Sequence, residues 1–242
     1  MTKSNIVIIL AAGKGTRMKS DLPKVLHPLK NKSLLGHVVD TSKKLNPYKI
    51  IVVVGYKKEL ILEKFRSDSL FFVEQKELKG TADAIKSCLP MLKNFTGNVL
   101  ILSGDVPMIK VATLLNFFNN HNSNNSLGSL ISTDLENPTG YGRIIRNKKN
   151  QLSKIVEDKD TSQEQKAIKE INSGIYIFNS KILLDKIPSI DNNNAQEEYY
   201  LPDIFNFIDE EQTSIYKVKN YNEISGINTI TQLKELETNI NL

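Results

Sequence analysis

The segment Ile6-Val7-Ile8-Ile9-Leu10-Ala11-Ala12-Gly13-Lys14-Gly15-Thr16-Arg17-Met18, followed by Pro23-Lys24, decides the fold of this chain. Its apolar start is typical of a buried strand. The glycine-rich turn that follows lets backbone N–H groups approach a phosphate closely. Arg17 and Lys24 add cationic side chains that can neutralise charge on a reacting phosphoryl group. The segment therefore predicts a strand and loop that bind a nucleotide.

The glycine turn differs from two common nucleotide-binding motifs. It lacks the third glycine of a dinucleotide-binding fingerprint, and the chain has no G-x-x-x-x-G-K-[ST] phosphate loop. A bare glycine turn is weak evidence for a ligand. The added arginine and lysine, with Pro23 fixing the backbone before Lys24, make the segment more specific.

Length, composition and charge fit a globular protein. The chain has 242 residues, of which 40% are hydrophobic and 24% charged, and its formal net charge is +5. That charge suits an anionic small substrate and equally suits ordinary solubility. No arginine-rich tract and no basic stripe interleaved with aromatic residues occurs, so we expect no nucleic-acid partner.

The cysteine content and the lengths of the apolar runs indicate the cellular compartment of the protein. Cys88 is the only cysteine, which excludes an intrachain disulfide and fits a reducing compartment. No apolar run approaches the roughly 20 residues that span a bilayer. The first apolar run is too short for a secretory signal and opens directly into the glycine turn. We therefore expect a cytoplasmic protein with no membrane partner.

Strand-like and helix-like segments alternate through the first half of the chain. The apolar runs typical of buried strands are residues 6–10, 50–54, 70–73 and 99–102. Helical spacing of apolar residues is found in 34–45, 60–65, 81–89 and 111–118, with Thr81 a candidate cap. This alternation predicts an α/β fold with a mixed, mostly parallel central sheet and helices on both faces.

The second half has a different pattern, without a linker or an internal repeat. Residues 127–131, 142–146, 152–157, 171–178 and 214–218 are strand-like, and 147–150 is a plausible hairpin turn. Residues 201–208 and 229–236 are candidate helices. We predict one domain over residues 1–228, with a nucleotide lobe (1–110), a substrate lobe (111–228), and a closing helix over 229–242.

Candidate binding residues follow three strands of the predicted sheet. The glycine turn follows the first strand, Gln75 with Gly80-Thr81 the third, and Ser103-Gly104-Asp105 the fourth. Ligands on such sheets bind beyond the carboxyl ends of the strands, so we expect these features to meet at one edge. The Asp105 carboxylate suits Mg²⁺, which prefers oxygen ligands. The alternative is a cap for a turn or helix near Pro107.

Four positions in the second half are individually weaker candidates. The run Gly140-Tyr141-Gly142-Arg143 is either a hairpin bend or a place where a ligand approaches bare backbone. Glu157 is most simply interpreted as a solvated charge at a strand end. Asn172 lies within a strand, where asparagine is depleted, so its amide needs a partner such as a sugar hydroxyl. Asn228 is a candidate cap of the closing helix.

Together these segments resemble the nucleotide-sugar pyrophosphorylases, and in particular the uridylyltransferase domain of the bifunctional bacterial N-acetylglucosamine-1-phosphate uridylyltransferases. Many nucleotidyltransferases share the first motif, whereas the asparagine-rich segment is far more specific. The resemblance covers essentially the whole chain. The later segments that carry it are Glu74-Gln75, Gly80-Thr81-Ala82-Asp83-Ala84, Thr139-Gly140-Tyr141-Gly142-Arg143-Ile144, Glu170-Ile171-Asn172-Ser173-Gly174-Ile175-Tyr176, Asn192-Asn193-Asn194-Ala195-Gln196, Glu198-Tyr199-Tyr200-Leu201 and Gly226-Ile227-Asn228.

The resemblance implies a Rossmann-like nucleotide-diphospho-sugar transferase fold and a Mg²⁺-dependent reaction. UTP and N-acetylglucosamine-1-phosphate would give UDP-N-acetylglucosamine, a precursor of cell wall and lipopolysaccharide, and pyrophosphate. It implies catalytic roles for Arg17 and Lys24, and Mg²⁺ binding by Asp105 and Asn228. The substrate-binding residues that it implies are Ala11, Ala12, Gly13, Gln75, Gly80, Thr81, Ser103, Gly104, Gly142, Glu157, Asn172 and Asn228.

The chain also departs from the family pattern. Glu197 stands where the family usually has glycine, and Pro202 where it usually has threonine, and both lie beside the sugar-lobe motif. The family's acetyltransferase domain does not follow within these 242 residues, so we carry over neither acetyl transfer nor trimerisation. Two alternatives remain: a related enzyme using another nucleotide or sugar phosphate, and an inactive sugar-nucleotide sensor. Retention of Arg17, Lys24 and Asp105 favours an enzyme.

Overall fold

The computed structural model describes residues 5–239 and is built around a nine-stranded sheet, with a separate two-stranded ribbon. The strands are β1 (Asn5–Leu10), β2 (Pro28–Leu29), β3 (Lys32–Ser33), β4 (Lys49–Val54), β5 (Phe71–Glu74), β6 (Asn98–Ser103), β7 (Gly128–Asp134), β8 (Arg143–Arg146), β9 (Leu152–Val156), β10 (Glu170–Asn179) and β11 (Thr213–Lys217). The helices are α1 (Leu34–Lys43), α2 (Lys58–Lys64), α3 (Thr81–Leu92), α4 (Val111–Ser123), α5 (Ser180–Lys186) and α6 (Ile230–Asn239).

The sheet combines a parallel half with an antiparallel insertion. Its order is β11-β7-β10-β6-β1-β4-β5, and β8 and β9 attach as a hairpin beside β10. β1 pairs in parallel with β4 and β6, and β4 pairs in parallel with β5. β10 runs antiparallel to both β6 and β7. This arrangement confirms the predicted α/β fold with a mixed central sheet.

Both faces of the sheet are buried by helices and loops. On β1, Ile6 and Ile8 point into one apolar cluster, whereas Val7 and Ile9 point into the other. All four are fully buried. Successive strand residues face opposite sides of a sheet, so an uninterrupted apolar run is what a strand covered on both faces requires.

Helix α6 folds back onto the loop that follows β1. Leu233 packs in a third apolar cluster with Met18, Leu29, Leu34 and Ile227. The backbone N–H of Lys30 lies 3.4 Å from a Glu237 carboxylate oxygen. The packing of Leu233 with Met18 brings the closing helix to the segment that follows the glycine-rich turn. No helix within the described residues 5–239 is long and apolar enough to cross a membrane.

Several local predictions need correction. Thr81 is the first residue of α3 and does not cap it, because its hydroxyl oxygen accepts the Leu201 N–H at 2.9 Å. Residues Leu201–Phe207 form a 3₁₀ helix, and α5 is not among the predicted elements. The hairpin turn over 147–150 is confirmed, with Asn150 at φ 63° joining β8 to β9.

Candidate active site

Two adjoining cavities lie at the carboxyl edge of the parallel strands. The larger has a volume of about 470 Å³ and the smaller about 240 Å³. They share four lining residues, namely Leu10, Thr81, Ser103 and Asp105. The predicted meeting of the glycine turn, the segment after β5 and the segment after β6 at one sheet edge is confirmed, since all three line the larger cavity.

Most of the residues that the sequence singles out line one of these cavities. The larger one is lined by Ala11, Ala12, Gly13, Lys24, Gln75, Gly80, Thr81, Ser103 and Asp105. The smaller one adds Gly142, Glu157, Asn172 and Asn228. Gly104 lies behind the wall, where its N–H donates to the Leu10 carbonyl at 2.9 Å. Arg17 joins the site through Asn228.

Four polar side chains meet where the cavities join. The Lys24 ammonium group donates to a carboxylate oxygen of Asp105 and, at 3.1 Å, to the side-chain carbonyl oxygen of Asn228. Arg17 donates to the same Asn228 oxygen at 2.9 Å. The Lys24 and Asp105 side chains are only 18% and 8% exposed, so this charge pair is largely shielded from water.

Local backbone features bring these side chains together. Gly15, at φ 61°, precedes the 3₁₀ turn Thr16–Met18, and a Cβ atom there would lie 2.5 Å from Lys24 Cβ. Glycine is therefore needed for the turn to pass against Lys24. On the other side, Ile227 donates its N–H to the Asp105 carbonyl at 2.9 Å, which brings Asn228 to the end of β6.

Neither the Asp105 nor the Asn228 side chain acts as the helix or turn cap that was the alternative interpretation of these residues. The Asp105 carboxylate faces Lys24. The Asn228 side chain faces Arg17 and Lys24, while Thr229 caps α6 by accepting the Gln232 N–H at 3.1 Å.

The oxygens of Asp105 and Asn228 form a donor set suited to a hard divalent cation. Both lie within hydrogen-bonding distance of one ammonium group, so they converge on a single position. Within residues 5–239, no group of three or more His, Cys, Asp or Glu side chains is placed to hold a metal. Mg²⁺ commonly takes one or two protein oxygens and completes its shell with water and phosphate, which fits this pair.

The far end of the larger cavity is formed by the segment between β5 and α3. The Gln75 side-chain amide donates to the Gly80 carbonyl at 3.0 Å and to Asp83 at 2.8 Å. Gly80 has φ 115°, and a Cβ atom there would lie 2.5 Å from the Tyr199 carbonyl oxygen. Backbone hydrogen bonds of 2.8 Å join Tyr199 to Lys79 and to Ala82. These bonds tie the two halves of the site together.

Glu157 is half-buried in the smaller cavity, so its interpretation as a solvated charge is wrong. A Cβ atom at Gly142 would lie 3.2 Å from its carboxylate, which shows how closely the bare backbone approaches. Burial first, and then the negative charges of Asp203 and Asp160, raise the pKa of Glu157 to about 7. Burial likewise raises the pKa of Asp203 to about 6.

Asn172 finds its partners within the protein. Its amide donates to the Tyr176 hydroxyl at 2.6 Å, and its carbonyl oxygen accepts the Gly174 N–H at 3.2 Å. The register of β10 shifts between Asn172 and Tyr176, and Gly174 there has φ 77°. The irregularity turns this stretch of β10 toward the smaller cavity, which Asn172, Ser173 and Gly174 line.

Sequence reasoning assigned no role to several residues that line the cavities. Lys14 and Glu198 line the larger one, and Tyr141 and Pro202 the smaller one. Lys14 belongs to the glycine turn, so its position alone could have marked it. The Tyr141 hydroxyl lies 2.7 Å from that of Tyr221, a contact across 80 positions that no local pattern indicates.

The fold and the paired cavities are typical of a nucleotide-binding protein, and comparison with known proteins gives the family. A family model described as Nucleotidyl transferase matches residues 6–223, and the chain belongs to this family. It is 44% identical over 228 residues to Bifunctional protein GlmU of Trichormus variabilis, which is 94% of this chain and 50% of that protein. It is 41% identical over 237 residues to Bifunctional protein GlmU of Streptococcus gordonii, covering 97% and 51%. The chain thus spans about half the length of the curated relatives it matches.

Solved structures agree on the fold. A putative glucose-1-phosphate thymidylyltransferase from Bacillus anthracis, in complex with sucrose, superposes with a TM-score of 0.70 at 20% identity, covering 99% of this chain and 97% of that one. HddC from Yersinia pseudotuberculosis also has a TM-score of 0.70 at 20% identity, covering 96% and 98%.

Proposed function

We propose that this chain is a uridylyltransferase that converts UTP and N-acetylglucosamine-1-phosphate into UDP-N-acetylglucosamine and pyrophosphate. The observation that carries the proposal is the junction of two cavities at Asp105, where Lys24 binds Asp105 and Arg17 reaches the junction through Asn228. A reaction between two phosphorylated substrates needs two adjoining sites with cations between them. The sequence motifs and the identity with the GlmU relatives support UTP and this sugar phosphate.

The proposed chemistry needs no general base. A sugar phosphate oxygen is already anionic at neutral pH, because the second pKa of a phosphate monoester lies near about 6. This oxygen attacks the α-phosphorus of UTP, and the bond from that phosphorus to the bridging oxygen breaks as pyrophosphate leaves. The protein then has to position the two substrates in line and neutralise charge.

The cationic residues would supply that neutralisation. Arg17 and the N–H groups of the glycine turn would hold the departing pyrophosphate, and Lys24 would stabilise charge around the α-phosphate. Asp105 and Asn228 would hold Mg²⁺, which when bound adds positive charge beside the phosphate oxygens. Lys24 donates to oxygens of both Asp105 and Asn228, so its ammonium group lies beside the residues that would hold Mg²⁺.

The remaining roles follow the two cavities. In the larger one, Gln75, Gly80 and Thr81 with the backbone of Ala11 and Ala12 would bind uracil. Gly13 and Ser103 would lie along the nucleotide, with Gly104 behind them in the wall. In the smaller one, Gly142, Glu157 and Asn172 would hold the amino sugar. We also propose that residues 1–228 act as one domain with a nucleotide lobe (1–110) and a sugar lobe (111–228), followed by the closing helix. Its partners would be small molecules in the cytoplasm.

A pyrophosphate-release assay with four nucleoside triphosphates against several hexose-1-phosphates tests the proposal. We expect UTP with N-acetylglucosamine-1-phosphate to give the highest kcat/KM, and chelation of Mg²⁺ to abolish turnover. A higher kcat/KM for another pair would reassign the substrate. Calorimetric binding of UDP-N-acetylglucosamine without pyrophosphate release from any pair would indicate a sensor instead.

A further inference from the structure

We propose that Gln232, on helix α6, is a positioning residue for Asn228, and that α6 is therefore a working part of the transferase site. The inference rests on the proposed function, because it concerns the residue that would hold Mg²⁺. Gln232 itself lines neither cavity.

The contact between Gln232 and the start of α6 extends beyond an ordinary helix cap. The Thr229 hydroxyl accepts the Gln232 N–H at 3.1 Å, and the Gln232 side-chain carbonyl accepts the Thr229 N–H at 3.1 Å. This reciprocal pair is a capping box. The same Gln232 oxygen also accepts the Asn228 N–H, at the shorter distance of 2.8 Å. The cap therefore reaches one residue further, into the site.

Asn228 is consequently anchored from two directions. The residue before it, Ile227, donates to the carbonyl of Asp105 at the end of β6. Asn228 itself donates to Gln232 on α6. Its side-chain amide donates to the Gly226 carbonyl at 3.2 Å, which leaves its carbonyl oxygen facing Arg17 and Lys24. Loss of the Gln232 anchor would free the backbone on one side of this oxygen.

Helix α6 also supports the opposite wall of the junction. Leu233, next to Gln232, is 6% exposed and packs with Met18, which is 1% exposed. Met18 follows Arg17 in the same 3₁₀ turn. One helix turn thus fixes both partners of the 2.9 Å hydrogen bond between Arg17 and Asn228.

A set of matched variants separates positioning from helix stability. Gln232→Met keeps the length of the side chain but removes the acceptor, whereas Gln232→Glu keeps an acceptor. Thr229→Ala breaks the helix cap and leaves the bond from Asn228 to Gln232 in place. Gln165→Ala breaks a second reciprocal pair, in which Gln165 accepts the Ser162 N–H at 2.9 Å and the Ser162 hydroxyl accepts the Gln165 N–H at 3.2 Å. Neither residue of that second pair lines a cavity.

The readouts are the Mg²⁺ concentration that half-saturates pyrophosphate release and the Mg²⁺-dependent rise in Tm with UDP-N-acetylglucosamine. For Gln232→Met we expect half-saturation to need about fivefold to tenfold more Mg²⁺, the effect of one net hydrogen bond. We expect its kcat to fall and its KM for UTP to change little. The Tm response to Mg²⁺ should weaken in parallel. Gln232→Glu should restore both, while Thr229→Ala and Gln165→Ala should lower Tm without changing the Mg²⁺ dependence.

Two results would overturn the proposal. One is a Gln232→Met variant with the wild-type Mg²⁺ dependence. The other is a Thr229→Ala variant that shifts this dependence as much as Gln232→Met, which would show that helix stability alone matters. Wild-type protein that releases no pyrophosphate would refute the proposed function, and the Tm response to Mg²⁺ would then still test Gln232.

Discussion

The Glu157→Gln variant is expected to be more stable than the wild-type protein at pH 8 and to lose that advantage near pH 4.5. Burial and neighbouring carboxylates raise the pKa of Glu157 from 4.5 to about 7. Between pH 4.5 and about pH 7, the folded protein keeps a proton on Glu157 that the unfolded chain releases. The free energy of unfolding of the wild-type protein therefore falls as pH rises through this range.

The size of the effect follows from the same pKa. The interval from 4.5 to about 7, at about 1.4 kcal/mol for each pH unit, corresponds to about 3 kcal/mol. Glu157 is only half-buried, and water lowers the expected gain to about 2 kcal/mol. Glutamine has the shape of the protonated acid but cannot ionise, so the variant avoids this cost above pH 7.

Urea denaturation of the ligand-free protein at several pH values between 4.5 and 8 measures the difference. The exposed Glu235→Gln substitution is the control for removal of one charge, and it should change stability by less than about 0.5 kcal/mol at every pH. Asp203 titrates in the same range, so the comparison is between variant and wild type at each pH. A Glu157→Gln variant that is less stable at pH 8, or a difference that does not change with pH, would refute the reasoning.

Three further substitutions test the site and its supports. The Asp105→Asn variant should fold normally, but its Mg²⁺-dependent kcat should fall by about 10²-fold or more. Pyrophosphate release across a range of Mg²⁺ concentrations measures this, and an unchanged kcat would remove Asp105 from the proposed metal site. Gly80→Ala should lower the free energy of unfolding by at least about 3 kcal/mol, because φ is 115° and the new Cβ atom would lie 2.5 Å from the Tyr199 carbonyl oxygen. An unchanged free energy of unfolding in urea denaturation would contradict this backbone conformation at Gly80. Glu197→Gly should raise the free energy of unfolding by about 0.5–1 kcal/mol in urea denaturation, since Glu197 has φ 55° and glycine adopts this backbone without strain. A lower free energy of unfolding would contradict this prediction.

The parallel half of the fold could be predicted from the sequence because its signals are local. β1, β4 and β6 are uninterrupted apolar runs, and each is followed by turn residues and a helical pattern. The antiparallel placement of β10 between β6 and β7 depends on pairing between residues 36 to 81 positions apart, from Glu170 with Asp134 to Asn179 with Asn98, which periodicity does not encode. Helix α5 spans only seven residues, too few to show a clear period.

The same difference separates the site residues. The glycine turn carries its own signal, and the departure at Glu197 coincides with a left-handed backbone, φ 55°, that favours the glycine usual in the family. The environment of Glu157 could not be inferred, because the burial that mainly raises its pKa, and the charge of Asp203, depend on residues distant in sequence. Only Asp158 and Asp160 are near it in the chain. Likewise Asn228 resembled a helix cap by its position, and only the fold brings Arg17 and Lys24 to it.

The most direct test is the rate at which the Lys24→Met variant releases pyrophosphate from UTP and N-acetylglucosamine-1-phosphate. The control is Lys93→Met, at an exposed position that lines neither cavity. If Lys24 stabilises the charge that develops at the α-phosphate, kcat should fall by about 10²–10³-fold while UDP-N-acetylglucosamine still binds. A Lys24→Met protein with the kcat of Lys93→Met would contradict the assignment of catalysis to the junction of the two cavities.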